Sequence, residues 1–306
     1  MMQMVTRRLL SIVPVLLVVA ALVFGIVHMV PGDPVLAMVG AEAARQDIDL
    51  MRERLGLNRP LIVQFGDYLA GVARGDLGNS IRSGRPVAQE VASRFPRTLQ
   101  LASVALGVSI VVGIVLGVVA AVFRGTWIDT IAVFIAIVGV SAPTFWIGLA
   151  FIFIFAVDLG WFPTGGAESW RHVVLPAATL GFHYAAVIAR VTRSSMLDVL
   201  ADDYVRTARA KGLGSWRVIG GHALKNALIP TMTIVGLQFG ALISGSIVVE
   251  VVFNWPGLGL LLITALNSRD YPVVQACILA IATAFILVNL AVDVLYGVVD
   301  PRVRYN

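Results

Sequence analysis

The sequence predicts an all-α membrane protein with six transmembrane helices and a small extracytoplasmic helical segment after the first. Three observations predict it. Hydrophobic residues make up 58% of the 306-residue chain and charged residues 13%, against about 45–50% and 25% in soluble domains. Mean hydropathy is +0.88. The apolar residues fall into six runs, each near the roughly 20 helical residues that a hydrocarbon core about 30 Å thick demands. Such a chain cannot cover itself with polar surface in water, which excludes a soluble enzyme. Its apolar richness equally excludes a disordered chain.

The runs are Leu9 to Val30, Thr98 to Phe123, Thr130 to Val157, Val173 to Ile188, Ala227 to Val252 and Val273 to Val298. The first is longer than a signal-peptide core and is followed by Pro31-Gly-Asp-Pro34, so it reads as a retained helix. The fourth is the weakest: it contains His183 and Tyr184 and needs residues up to Met196 to reach full length. Pro14, Gly113, Gly117, Pro143 and Gly148 lie inside runs. Membrane helices tolerate them, because neighbouring helices satisfy freed backbone groups. The expected organisation is a helix over 1–30, a helical cap over 31–97 and a five-helix core over 98–306.

Short loops set orientation through their Lys and Arg. Arg7 and Arg8, Arg124, the set Arg193, Arg206, Arg209, Lys211, Arg217 and Lys225, and finally Arg302 and Arg304 fall on one side; the opposite short loops hold only Arg171 and Arg269. Both termini are therefore expected in the cytoplasm. Arg190 and Arg193 are expected to snorkel to that interface. Segment 31–97, with nine Arg and eight acidic residues, is too long for the charge rule to bind and can lie outside. Within it, Pro60 opens a helix with Leu61, Phe65, Leu69 and Val72 near helical spacing. Gly75 to Ser80 reads as a turn. Pro86 opens a short helix with Val87 and Val91 on one face.

Several chemistries are missing. The two lysines, Lys211 and Lys225, are followed by Gly and Asn, so no phosphate-binding loop is present. His28, His172, His183 and His222 are scattered, and no Gly-x-Ser-x-Gly elbow occurs. A lone cysteine, Cys277, excludes an internal disulfide. No catalytic residue, metal site or cofactor is expected in this chain. Uphill transport would draw its energy from a partner or an ion gradient.

The loop between the fourth and fifth runs carries the strongest signal. Asp203 to Lys211 holds good helix formers, Gly212 ends that helix, a second amphipathic turn starts at Trp216, and Pro230 opens the fifth span. Arg206, Arg209 and Lys211 make the loop basic. Attraction to anionic lipid headgroups would explain the charge, but not the Thr207-Ala208-x-x-x-Gly212 spacing or the small residues.

This stretch resembles the EAA loop of permease subunits in bacterial ABC importers, in its peptide-importer form. The strings that carry the resemblance are Tyr204-Val-Arg-Thr-Ala-Arg-Ala-Lys-Gly212 and His222-Ala-Leu-Lys-Asn-Ala-Leu-Ile-Pro230. Arg206 stands where the general motif has Glu, and Pro230 is farther from Gly212 than in that motif. Both departures suit the peptide branch. Further matches are Arg7-Arg8-Leu-Leu, Pro31-Gly-Asp-Pro34, Leu55-Gly-Leu57, Gly75-Asp-Leu-Gly78, Pro96-Arg-Thr-Leu99, Gly245 to Glu250, Phe253-Asn-Trp-Pro-Gly-Leu-Gly259, Arg269-Asp-Tyr-Pro272 and Asp300-Pro-Arg302.

The resemblance implies a type I ABC importer permease fold in a bacterial inner membrane. It implies the first permease subunit of a dipeptide, oligopeptide, glutathione or nickel system, with the loop phrasing closest to glutathione and dipeptide members. The implied partners are a homologous second permease, two ATP-binding subunits that hold ATP and Mg, an extracytoplasmic substrate-binding protein and the lipid bilayer. No nucleic-acid partner is implied. In the family the loop docks as a coupling helix on the ATP-binding subunit, which assigns ATPase coupling to Tyr204, Arg206, Thr207, Ala208, Arg209, Ala210, Lys211 and Gly212.

Polar groups inside spans mark a candidate path. A carboxylate within a span costs about 2.5–3.5 kcal/mol on insertion scales. Asp293 is expected to hydrogen-bond between helices, with Asn289 one turn earlier. Glu250 is expected near a gate, ahead of an aromatic turn containing Phe253 and Trp255. Gln238, Ser244 and Ser246 are neutral donors and acceptors along the fifth span and could line a polar path. Gly240, Ala241 and Gly245 permit close helix contact. His183 and Tyr184 read as core packing. A secondary transporter driven by an ion gradient is the competing class. It predicts paired broken helices and charged midplane sites, and the sequence gives no sign of them.

Overall fold

The computed structural model describes residues 2–29, 44–54 and 58–299. The Pro31–Pro34, Leu55–Leu57 and Asp300–Arg302 matches and the side chain of Asp293 lie outside the described residues. Among the described residues eleven helices follow in order: α1 (Met2–Met29), α2 (Arg45–Arg54), α3 (Leu61–Arg74), α4 (Val87–Val122), α5 (Trp127–Ser141), α6 (Thr144–Asp158), α7 (Arg171–Ala201), α8 (Asp203–Ala210), α9 (Ser215–Val252), α10 (Leu258–Asn267) and α11 (Tyr271–Val299). Among the described residues, α4, α7, α9 and most of α11 are long and apolar enough to cross a bilayer, and the bent pair α5–α6 is apolar enough to make a fifth crossing if the two helices count as one span. The apolar stretch of α1 within that set, Ile12–Gly25, is shorter. The chain divides into two compact units, Met1–Thr98 with Pro256–Leu290, and Leu99–Trp255 with Ala291–Asn306.

In the first unit, Pro60 precedes α3 as expected. Phe24 of α1 packs on Phe65 and Tyr68 of α3, with ring centroids 5.3 and 6.0 Å apart. The turn after α3 is clamped by a buried carboxylate. Asp270 accepts hydrogen bonds from the Ser80 hydroxyl and from the backbone N–H groups of Ile81 and Arg82. Thr98 Oγ1 accepts the Leu258 N–H at 2.8 Å, satisfying the first donor of α10. Two expectations change here. Pro86 does not open a separate short helix: α4 runs 36 residues, through Pro96. Proline deletes one donor and crowds one carbonyl, and the helix formers on both sides carry the helix across it. The 10-residue apolar helix α10 was not expected, being too short to register as a span.

In the second unit, the expected single span Thr130–Val157 is broken. α5 and α6 meet at 111°. Ala142 is extended (φ −77°, ψ 134°) ahead of Pro143, because a proline ring pushes the preceding residue out of the helical region. The span expected to be weakest, α7, is instead the most enclosed: 61% of its apolar window is buried, against 28–39% for the other three long helices. Thr179 and Thr192 are buried in it and His183 and Tyr184 are half-buried, whereas Arg190 is exposed. Pro230 does not open the fifth span; α9 begins at Ser215 and includes a π-helical segment, Val218–Ala223. Small residues set the spacing of α4 on α7. A Cβ placed on Gly113 would lie 2.6 Å from Ile188 Cβ, and one on Gly117 would lie 2.6 Å from Thr192 Cβ. These two glycines, four apart, let the backbones touch.

Candidate functional site

The loop singled out by the sequence forms one exposed, basic surface on a packed base. Asp202 is extended (ψ 147°) and turns the chain from α7 into α8. α8 then buries Val205 and Ala208 with Val218, against Val199, Leu200 and Leu213. Tyr204, Arg206, Thr207, Arg209, Ala210 and Lys211 point outward. Gly212 takes φ +77°, and the Gly212 and Leu213 N–H groups return to the Arg209 and Ala208 carbonyls. That is the left-handed termination a glycine allows without a Cβ penalty. Ala208, assigned to the partner-facing set by resemblance, faces inward. Its small side chain lets α8 lie flat on its own chain.

The charges on this surface are little committed. Arg206 meets Asp203 at 3.4 Å, but the two side chains are 75% and 95% exposed, so the pair contributes little. Tyr204 is tied back instead. Its hydroxyl accepts from Asn226 Nδ2 at 2.7 Å and donates to the His222 carbonyl at 3.5 Å. The second contact spans the π-helical segment, where i→i+5 pairing disturbs the usual ladder.

The candidate path residues on α9 separate into two faces. Gln238, Ser246 and Glu250 are buried, while Ser244 is exposed. At 100° per residue Ser244 and Ser246 lie about 200° apart around the helix, so the structure does not bring all three neutral residues to one stripe. The Ser246 hydroxyl donates between the Ile243 carbonyl (2.9 Å) and Glu250 Oε1 (3.1 Å). Gln238 Oε1 has no hydrogen-bond partner among the described residues. Phe253 and Trp255 are each 1% exposed, so they anchor the turn rather than face solvent. The Trp255 N–H donates to the Glu250 carbonyl at 2.8 Å, and Gly166 N–H donates to the Phe253 carbonyl at 3.0 Å.

α7 and α9 are stitched by polar contacts. Tyr184 donates to the Ala241 carbonyl at 2.9 Å, and Thr192 and Thr231 hydroxyls lie 3.2 Å apart. His183 Nδ1 donates to the Gly139 carbonyl of α5 at 3.1 Å. His183 and Tyr184 thus each hold α7 to a neighbouring helix. Sequence reasoning missed one feature entirely. The guanidinium of Arg193, expected at the interface, also grips Asp129 of α5 with two hydrogen bonds of 2.8 Å. Asp129 also accepts the Gly125 N–H at 3.1 Å. The partners are 64 residues apart, a separation that no local spacing reveals. Among the described residues no cluster of three His, Cys, Asp or Glu could hold a metal.

Comparison with known proteins adds the family. Residues 113–305 match the family described as binding-protein-dependent transport system inner membrane component, and residues 1–102 match its N-terminal counterpart. The chain is 51% identical over 306 residues to the glutathione transport system permease protein GsiC of Escherichia coli (strain K12) and to that of Salmonella typhi, covering 100% of each chain in both cases. Its fold is similar to a chain of the MetNI methionine ABC transporter in an inward-facing form (TM-score 0.57, 20% identity, 69% of this chain and 96% of that one). It is also similar to a chain of an amino acid ABC transporter crystallised with histidines (TM-score 0.52, 17% identity, 70% and 94%). With its N-terminal region and its core both matched, the chain belongs to the inner-membrane components of binding-protein-dependent transport systems.

Proposed function

We propose that this chain is one permease subunit of an ATP-driven importer of glutathione or short peptides. The observation that carries the reading is the 51% identity over 306 residues, 100% of both chains, to a glutathione transport permease. It forms half of the translocation path beside a homologous second permease. Two ATP-binding subunits hold ATP and Mg, and an extracytoplasmic binding protein delivers substrate. Both termini and α8 face the cytoplasm of the inner membrane.

Energy enters through α8. Its exposed cations, Arg206, Arg209 and Lys211, meet the ATP-binding subunit, and its buried side, Val205 and Ala208, rests on Leu200 and Val218. A push on α8 is therefore carried to α7 and to the base of α9 without slack. Glu250 and the buried aromatic turn Phe253–Trp255 close the far end of α9. The 111° break between α5 and α6 favours one second reading, a gradient-driven transporter with a discontinuous helix. Purification decides between them. Alone, the chain is expected to hydrolyse no ATP, whereas with its ATP-binding subunits it hydrolyses ATP faster when loaded binding protein is added. Hydrolysis by the isolated chain at the rate of the complex overturns the reading.

A further inference from the structure

Helix α5 is pinned to α7 at two points in matched register. Asp129 and Gly139 lie ten residues apart on α5, and His183 and Arg193 lie ten residues apart on α7. The helices run antiparallel, so Arg193 holds Asp129 at one end and His183 holds the Gly139 carbonyl at the other. The pins are separated by about 15 Å of helix. At the second pin Gly139 also brings the backbones close: a Cβ there would sit 3.0 Å from Ala186 Cβ and 3.2 Å from the Phe182 carbonyl. One pin is the stronger. Arg193 makes a two-pronged, charge-assisted contact, 30% exposed on the arginine side and 9% on the aspartate side, the geometry in which an arginine fork fixes orientation as well as distance. Asp129 adds the Gly125 N–H, so the α4–α5 turn is fixed by the same carboxylate. Eight residues past Arg193, α7 ends at Ala201 and α8 begins.

We propose that Arg193, acting through Asp129, is a positioning residue that makes α5 travel with α7 whenever α8 is displaced, so that the chain changes shape at the Ala142–Pro143 break rather than at the α5–α7 contact. The inference rests on the importer reading above. A contact that merely holds the fold together would not need to be charged at this place, since the α5–α7 seam is already closed by Gly139, Ala186 and His183. The fork adds a fixed orientation and register between α5 and α7.

The test uses the assembled transporter in liposomes and reads ATP hydrolysed per substrate moved. Asp129→Asn keeps the shape and removes the charge. It is expected to raise that ratio about tenfold, within the span of about 5–150-fold typical of coupling between two sites. Arg193→Lys keeps the charge, loses the fork and is expected to fall between. The exchanged pair Asp129→Arg with Arg193→Asp is expected to recover part of the loss. A purely structural pair lowers transport and hydrolysis together at an unchanged ratio, and that result overturns the proposal. Spin labels at Trp127→Cys and Ala201→Cys, with Cys277→Ser, supply a readout independent of transport. The distance distribution is expected to be narrow and to broaden in Asp129→Asn; an unchanged distribution also overturns the proposal. If the unaltered complex shows no ATP-dependent uptake while the distribution still broadens, the importer reading fails and the pinning stands.

Discussion

Replacing Gly117 by alanine should loosen the α4–α7 pair more than any conservative substitution on the lipid face of α4. The new Cβ would stand 2.6 Å from Thr192 Cβ and 2.7 Å from the Ala189 carbonyl oxygen. Carbon atoms rest at about 3.5–4.0 Å, so the helices must separate by about 1 Å. Neither neighbour can step aside: one is backbone, and the other is a β-branched residue with little χ1 freedom. Thr192 is moreover hydrogen-bonded to Thr231, so a shift propagates to α9. Overpacking of this kind costs about 1–3 kcal/mol. Alanine is the better helix former by up to about 1 kcal/mol, so a position without a clash should respond in the opposite direction. Gly107, on the same helix with nothing within 4 Å of its built Cβ, is that control. Thermal unfolding in detergent, followed by tryptophan fluorescence, should show Gly117→Ala melting below the parent and Gly107→Ala at or above it. Gly113 opposes Ile188 with the same 2.6 Å clearance. The double variant Gly113→Ala with Gly117→Ala should therefore cost less than the sum of the singles, because one separation relieves both clashes. If Gly117→Ala melts with Gly107→Ala, close backbone contact is not what those glycines provide.

Three further outcomes are expected. Gly212→Val forces a side chain into φ +77° at about 1–2 kcal/mol, tilts α8, and should reduce both retention of ATP-binding subunits and substrate-stimulated hydrolysis; wild-type levels of both would return the loop to a basic surface lying on lipid. Asp270→Ala strands the Ser80 hydroxyl and the Ile81 and Arg82 N–H groups, and proteolysis between Gly78 and Pro86 should accelerate, whereas unchanged cleavage would show that the carboxylate is not the clamp. With the buried Cys277 replaced by serine, cysteines at Asn79 and Asn267 should react with an impermeant thiol reagent in intact cells and one at Ser215 only after permeabilisation; the reverse pattern inverts the orientation.

What could be read from the sequence follows from how local each determinant is. Gly212 was legible because a helix ending in a left-handed residue is decided within four or five positions. The long helices were legible because hydropathy averages over a whole span. Hydropathy also misled, because it measures preference for lipid and not enclosure by protein. α7 carries His183, Tyr184 and Thr192 and scored as the weakest span, yet it is the helix around which α4, α5 and α9 pack. Pro143 was read as a tolerated residue because the apolar run on both sides argued for continuity, yet the residue before a proline is driven extended, and that local effect won. Ser244 and Ser246 show the limit of reading one helix alone, because two residues of similar chemistry two positions apart occupy opposite faces. The Arg193–Asp129 pair was beyond reach: charge near a span end predicts an interfacial residue by default, and only the fold brings two positions 64 residues apart together.

Uptake into proteoliposomes containing this chain, its second permease, the ATP-binding subunits and the loaded binding protein is the most direct test of the importer reading. Labelled glutathione and a labelled dipeptide should each be offered, with and without ATP on the side of the ATP-binding subunits, and with ionophores that abolish proton and sodium gradients. Accumulation of one of them that requires ATP and survives the ionophores is the predicted result. Accumulation without ATP that collapses with the ion gradient would contradict it, and would make the broken α5–α6 helix the starting point for a gradient-driven mechanism.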